Sequence, residues 1–194
     1  MVSLTGMVGV AGCQFVTILP VSGYEKDFFL MLLELTQQAR SGQSLSVEQM
    51  QAAIGAMLQG QADEKDVGDL LLALQVKGEA VTELLGAARA MRAAMLPVRT
   101  SVRPLLDTCG TGGDGSKTFN ISTAAAIVAA AAGVAVAKHG NRKVTSATGS
   151  ADVLSELGIR IDAPREVVER CLNEVKLGFC FAPLLHPAMR HVAQ

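Results

Sequence analysis

The sequence predicts an α/β protein, with an N-terminal helical bundle subdomain followed by an incomplete, mainly parallel α/β domain. Three observations carry that expectation. Apolar residues recur at three-to-four spacing between Asp27 and Pro97, interrupted by residues that cap and stop helices. From Leu105 onward the texture changes to a strand candidate, a Gly-rich loop, a helix candidate and a second strand candidate ending at Ala137. The composition, 194 residues with 49% hydrophobic and 18% charged, is that of a folded chain with one core and room for a small second subdomain.

The elements follow in order. Asp27 to Arg40 is dense in Phe, Leu and Met and ends at Ser41-Gly42. Ser46 offers an N-cap with Gln49 three residues on, the spacing of a capping box. Val47, Met50, Ile54, Met57 and Leu58 then share one helical face, and Gly60 sits where a left-handed terminal residue is wanted. Asp63 can cap a third helix whose apolar set is Val67, Leu70, Leu71 and Leu74, stopped at Gly78. Thr82 starts a fourth, with Leu85, Ala88 and Met91 as its apolar positions and Pro97 as its end. Beyond it, Leu105-Leu106-Asp107 reads as a short strand, Asn120 to Ala132 as a helix and Val134 to Ala137 as a buried strand. Ser150 to Leu157 is a short helix, Pro164 opens another through Val175, Phe179 to Phe181 is a strand, and His186-Pro187 opens a last helix. The domain division is thus 1–24, an unmatched leader; 25–98, helical; and 99–194, α/β, in which helices of 165–194 can return to the helical part.

Composition excludes several classes of function. Seventeen basic and eighteen acidic residues give a net charge of −1, so the chain is no non-specific nucleic-acid binder and any anion site is a local cluster. The leader has Val10-Ala11-Gly12-Cys13, but no Lys or Arg precedes it and its apolar run is broken by glycine, which argues against a signal sequence. Thr118 to Ala137 is long enough to span a bilayer but is mostly Ala, Ser, Thr and Asn, so a buried helix and strand explain it better. A soluble, cytoplasmic protein with reduced thiols is expected, with no membrane partner.

Two clusters carry chemistry. Asp107-Thr108-Cys109-Gly110-Thr111-Gly112-Gly113-Asp114-Gly115 follows the first strand candidate, and glycines there let backbone N–H groups approach a bulky anion. Thr118 to Thr123 leads into a helix start that favours phosphate. Gly110, Gly112 and Gly115 match G-x-G-x-x-G, but no acidic residue lies between Asp114 and Asp152 to hold a ribose, and Ser116 spoils the register of a P-loop lysine. A dinucleotide or ATP site is the weaker reading. Asp114 beside phosphates suits a sugar hydroxyl or a bound cation, which points to a phosphorylated sugar with Mg²⁺; a plain turn aspartate is the alternative. Lys138-His139-Gly140-Asn141-Arg142-Lys143 follows the second strand candidate, where open α/β sheets bind ligands, and Val144 to Ser150 adds hydroxyls.

Gly110-Thr111-Gly112-Gly113-Asp114, Asn120-Ile121-Ser122-Thr123, Lys138-His139-Gly140-Asn141-Arg142 and Gly149-Ser150-Ala151-Asp152-Val153-Leu154 together resemble the anthranilate phosphoribosyltransferase family, of glycosyltransferase family 3 with a nucleoside phosphorylase-like fold. The resemblance runs from about Leu33 to the C-terminus and includes Val76-Lys77-Gly78-Glu79 and Gly86 to Arg92. Pyrimidine nucleoside phosphorylases are similar in fold with different loops. The resemblance implies that the amine of anthranilate displaces pyrophosphate from 5-phosphoribosyl-1-pyrophosphate (PRPP) in tryptophan biosynthesis. It implies PRPP binding by Gly110, Gly113, Asp114, Thr118, Asn120, Ile121, Ser122, Thr123, Lys138, His139, Gly140, Asn141, Arg142, Lys143, Val144, Thr145, Ser146 and Ser150. Gly110 and Asn141 would touch anthranilate, Ser122 would be the Mg²⁺ ligand, and His139 is the one candidate proton acceptor. It also implies a homodimer through the helical subdomain. The family pattern continues past Gln194 with an anthranilate-gripping arginine, an acidic metal pair and most of the α/β domain, so a partial enzyme with little activity alone is expected. Apolar surface on the Val134–Ala137 strand and the Thr123–Ala132 helix should then be uncovered. A non-catalytic binding module of the same fold is the alternative.

Overall fold

The structure is a computed structural model that describes residues 24–110, 119–142 and 149–192. The leader lies outside them, apart from Tyr24. Four helices come first: α1 (Tyr24–Arg40), α2 (Val47–Leu58), α3 (Glu64–Lys77) and α4 (Val81–Ala94). Then follow α5 (Ile121–Ala131), β1 (Val136–Gly140), α6 (Ser150–Glu156), α7 (Arg165–Glu174), β2 (Leu177–Phe181), α8 (Ala182–Leu185) and a 3₁₀ turn (Pro187–His191).

Local chemistry explains the helix boundaries. At α2, the Ser46 hydroxyl accepts the Gln49 N–H and the Gln49 side chain accepts the Ser46 N–H, so the capping box forms as expected. Gly60, Gly78, Gly133 and Gly158 all take positive φ where helices end, a conformation other residues resist. Asp63 stands at the N-cap of α3 but makes no side-chain capping bond. The bundle core is formed by α1, α2 and α3, with Leu32, Leu35, Leu45, Met57, Leu70 and Leu74 among its buried members. Val192, at the far end of the described chain, packs against the same core, and the His191 ring lies against Gly60.

The expected faces of α3 and α4 need correction. Leu71 is exposed and Ala73 is buried in its place. On α4, Leu85, Ala88 and Met91 face outward, and the buried positions are Glu83, Gly86 and Ala90. The cause is close packing of α4 on α2: a Cβ on Gly86 would lie 2.5 Å from the Val47 carbonyl oxygen and 2.7 Å from Met50 Cβ. Helices that approach so nearly must meet through small residues, so the large ones turn away. Gly86→Ala is expected to cost about 3 kcal/mol by overpacking, against helix propensity that alone would favour alanine by about 1 kcal/mol. Gly68→Ala, where nothing lies within 4 Å of the added methyl, is the control and should be neutral or stabilising in a urea titration.

The α/β layer is smaller than its helices suggest. β1 and β2 pair in parallel, Val136 opposite Leu177 through Gly140 opposite Phe181. On the other side of β1 the expected strand Leu105–Asp107 reduces to one parallel bridge, Leu106 with Val136. The strand expected at Val134–Ala137 instead runs Val136–Gly140, so Lys138, His139 and Gly140 belong to the sheet and not to a loop. Residues 96–103 lie along α7, with the Arg99 N–H on Glu169 Oε1 at 2.7 Å and Thr100 Oγ1 on Asn173 Oδ1 at 2.8 Å. Val168 and Leu172 of α7 pack with Cys180 in a second core, joined by Val98, Leu105, Ala137 and Leu185. The last helix, expected to open at His186-Pro187, is a 3₁₀ turn, and the short α8 that precedes it, directly after β2, was not expected. Of the surfaces expected to be uncovered, Ile127 and Val128 of α5 and Val134 are exposed, but Ala126, Ala135 and Val136 are buried, because β1 lies between Leu106 and β2. A groove of about 340 Å³ runs beside β2, between α5 and α7.

Candidate anion site at the carboxyl end of the strands

A strand–helix–strand crossover sets α5 antiparallel to the strands, which brings its N-terminus to their carboxyl ends. α6 starts just after β1, so its N-terminus opens at the same end. Several side chains then fix this geometry. Asp107 Oδ1 accepts the N–H of Cys109 at 2.9 Å and that of His139 at 3.3 Å, which clamps the start of the Gly-rich loop to β1. Thr108 Oγ1 donates to the Ser122 carbonyl at 2.8 Å and ties the same loop to α5.

Asn120 caps α5. Its Oδ1 accepts the Thr123 N–H at 3.1 Å, the Ser122 hydroxyl at 3.0 Å and the Thr123 hydroxyl at 2.8 Å. Lys138, only 2% exposed, donates from Nζ to Ser122 Oγ at 3.2 Å. It forms no ion pair among the described residues. Burial pushes its pKa below the ordinary lysine value, and the nearby Cys109 and Asp107 only partly oppose that. A buried ammonium without a counter-ion, beside the positive end of a helix, is arranged to receive an anion.

His139 points to the opposite face of the sheet. Its Nδ1 is 3.7 Å from Cys109 Sγ, and its Nε2 is buried with no hydrogen-bond partner. The ring meets His186 edge to face, with centroids 5.9 Å apart. Burial, and then His139, hold His186 below the usual histidine range. Gly140 has no room for a side chain, since a Cβ would lie 2.8 Å from the Phe179 ring and 2.9 Å from Ser150 Cβ. Asn141 turns back on itself: its Oδ1 accepts the Arg142 N–H at 2.8 Å and its carbonyl accepts the Ala151 N–H at 3.1 Å. Arg142 reaches Asp152 Oδ1 at 3.5 Å, and Asp152 Oδ2 accepts the Gly149 N–H at 3.0 Å.

The described residues of the expected site therefore lie at one end of the layer: Gly110, Asn120, Ile121, Ser122 and Thr123 from the loop and α5, Lys138, His139 and Gly140 from β1, Asn141 and Arg142 just after it, and Ser150 from α6, with the His139 ring on the face opposite Lys138. Gly113, Asp114 and Thr118, with Lys143, Val144, Thr145 and Ser146, lie outside the described residues. Sequence reasoning passed over Asp107, Thr108 and Asp152 as positioning groups, and His186 as a neighbour of His139. Asp107 carried a readable signal, an acid directly after a strand and before a Gly-rich turn. His186 carried none, because only the fold brings it to His139.

The structure thus joins a helical bundle to a parallel layer whose strand ends gather the start of α5, Ser122 and the buried Lys138. Residues 33–95 match the model for the glycosyl transferase family, helical bundle domain, and residues 102–194 match that for the glycosyl transferase family, a/b domain. The chain belongs to this glycosyl transferase family. Among curated proteins it is similar to anthranilate phosphoribosyltransferase of Rhodopirellula baltica, 64% identical over 86% of this chain and 48% of that protein. The same enzyme of Symbiobacterium thermophilum is 54% identical over 82% of this chain and 47% of its own length. Among solved structures, the crystal structure of anthranilate phosphoribosyltransferase from Thermus thermophilus matches with TM-score 0.76 and 48% identity, over 82% of this chain and 48% of that one. That of Saccharomyces cerevisiae in complex with PRPP and Mg matches with TM-score 0.76 and 30% identity, over 84% and 50%. The chain spans about half the length of the curated relatives it matches.

Proposed function

We propose that this chain carries the PRPP-binding part of a phosphoribosyl transfer to anthranilate in tryptophan biosynthesis, with release of pyrophosphate. The observation that carries the reading is the buried Lys138 ammonium, held on Ser122 at the N-terminus of α5 with no carboxylate partner among the described residues. As pyrophosphate leaves C1′ of the ribose, negative charge grows on it, and Lys138, Arg142 and the α5 terminus would stabilise that charge. No nucleophile is required of the protein. Gly110 and Asn141 would meet anthranilate, whereas the His139 ring, on the opposite face of the sheet from Lys138 with Nδ1 beside Cys109 and Nε2 buried, is not placed to accept its amine proton.

The Ser122 and Thr123 hydroxyl oxygens lie 3.0 and 2.8 Å from Asn120 Oδ1, which gathers three neutral oxygens at the start of α5. No group of three or more His, Cys, Asp or Glu that could hold a metal occurs among the described residues. Neutral oxygens suit a hard cation such as Mg²⁺, which Ser122 would hold. When bound, the ion would neutralise charge on the leaving group. The exposed apolar side chains Leu72 and Val76 of α3 with Val81 and Leu84 of α4 support a homodimer through the bundle. Among the described residues no helix is long and apolar enough to cross a membrane.

A thermal-shift titration with PRPP, with and without Mg²⁺ and against NAD and ATP, tests the reading. A ligand at 100 times its Kd stabilises a folded site by about 2.7 kcal/mol, and that shift should appear for PRPP with Mg²⁺ alone. An equal shift with ATP or NAD, or a cooperative melt that PRPP leaves unmoved, would refute it.

A further inference from the structure

Three thiols occur among the described residues, and their surroundings differ sharply. Cys180 is 7% exposed in the second core, and burial pushes its pKa up to about 11. Cys171 is half-buried on α7. Cys109 is exposed, at the point where the Gly-rich loop leaves β1's neighbour Leu106. Thiols react as thiolates, so the first of these is inert and the last is open to attack.

Exposure alone would make Cys109 an ordinary surface thiol. Its relation to His139 sets it apart, because Sγ lies 3.7 Å from Nδ1 of that imidazole. The pair is held from both sides. One oxygen of Asp107 accepts the backbone N–H of each partner, so the loop cannot carry the thiol away from the strand without breaking that bond. His139 is anchored in β1, its ring set edge to face on His186, and its Nε2 is buried with no hydrogen-bond partner. With the ring hydrogen on Nε2, Nδ1 presents its lone pair to the thiol. A thiol and an imidazole within sulfur hydrogen-bond reach, on two segments that one Asp107 oxygen ties together through their backbone N–H groups, form a nucleophile–base pair. The charged and titratable groups around it are Asp107, Lys138 and His186.

We propose that Cys109 is a modification site, at which the thiol exchanges with low-molecular-weight disulfides and His139 serves as proton acceptor. The Cys109 sulfur attacks one sulfur of the disulfide while its proton passes to Nδ1. The reagent's S–S bond breaks, a mixed disulfide forms on Cys109, and the other half leaves as a thiolate that recovers the proton from the imidazolium. Cys109 is oxidised and the departing half is reduced, so no further oxidant is needed. The adduct stands beside Gly110; on the PRPP reading given above, on which this last consequence rests, it closes the phosphoribosyl site.

The test uses the whole chain with glutathione disulfide, acid quenching at intervals and mass measurement of the cysteine peptides. Cys109 in the native chain is expected to react about tenfold faster than in the same chain unfolded in urea, while Cys180 stays unmodified. His139→Gln should remove most of that advantage and leave the rate in urea unchanged. A native Cys109 rate at or below the unfolded rate overturns the proposal whether or not the variant folds. So does an unchanged native rate in a His139→Gln chain that melts cooperatively. The PRPP thermal shift, present before modification and lost after it, tests closure separately. If the unmodified chain shows no such shift, the PRPP reading fails and the thiol rates still decide the exchange.

Discussion

Lys138→Met is expected to leave the chain as stable as before, or more stable by about 1 kcal/mol, while PRPP binding weakens by one to two orders of magnitude. The two effects have opposite signs because the ammonium is costly in the folded chain and useful only when an anion arrives. At 2% exposure without an acidic partner among the described residues, the charged form has lost its water and gained one hydroxyl. Methionine fills similar space beside Phe179 and Leu177 without that penalty. A charged hydrogen bond to phosphate is worth about 1.5–3 kcal/mol, which sets the size of the binding loss. Because the pKa is depressed in the folded state, the unfolded chain binds the extra proton between the two values. Wild-type stability should therefore gain from this group as pH rises toward the ordinary lysine value, and Lys138→Met should lose that gain. Denaturation at two alkaline pH values, with a ligand titration at neutral pH, measures both. A variant that loses stability and keeps PRPP binding would show Lys138 to be a structural residue.

Glu83→Gln should destabilise the chain by about 3–5 kcal/mol, the cost of stranding one charge of a buried pair. Glu83 is 1% exposed and joins three segments. Its Oε1 accepts the Leu45 N–H at 2.8 Å, and its Oε2 accepts the Ala80 N–H at 2.7 Å and Lys77 Nζ at 3.0 Å. Burial alone would raise its pKa, but the Ala80 and Leu45 N–H groups and the Lys77 ammonium together bring it below the ordinary carboxylate value. The stabilisation is then complete above the unfolded carboxyl's pKa and is lost as pH falls through the lower, folded one. Urea midpoints followed from neutral pH into the acid range should fall less steeply for Glu83→Gln than for the wild type. Parallel pH profiles would show that this carboxylate carries no share of the acid sensitivity.

Much of the fold was legible because local chemistry decides it. Ser46 with Gln49, and the glycines at 60, 78, 133 and 158, mark helix ends through bonds and backbone angles that few other residues supply. The faces of α4 were not legible, because hydropathy follows large side chains whereas the α2–α4 contact is made by Gly86 and Ala90. The shift of β1 has a similar origin. Its first residues are apolar, but its extent is fixed by pairing with β2, and that pairing carries the strand on through a lysine and a histidine. At the site, the residues that would touch an anion stood out by type and spacing, and their supports did not. Asp107 acts through two backbone N–H groups thirty residues apart, and His186 reaches His139 across a long stretch of chain.

The seat of Val192 on the bundle has a consequence for how the molecule is made. The four bundle helices leave the ribosome before the described α/β layer and their contacts are short-range, so they can collapse early. Their final packing waits for a residue translated after the whole described α/β layer. Synthesis thus threads the described layer into a loop whose two ends are both held by the bundle, and the bundle's packing is finished only after that layer has been made.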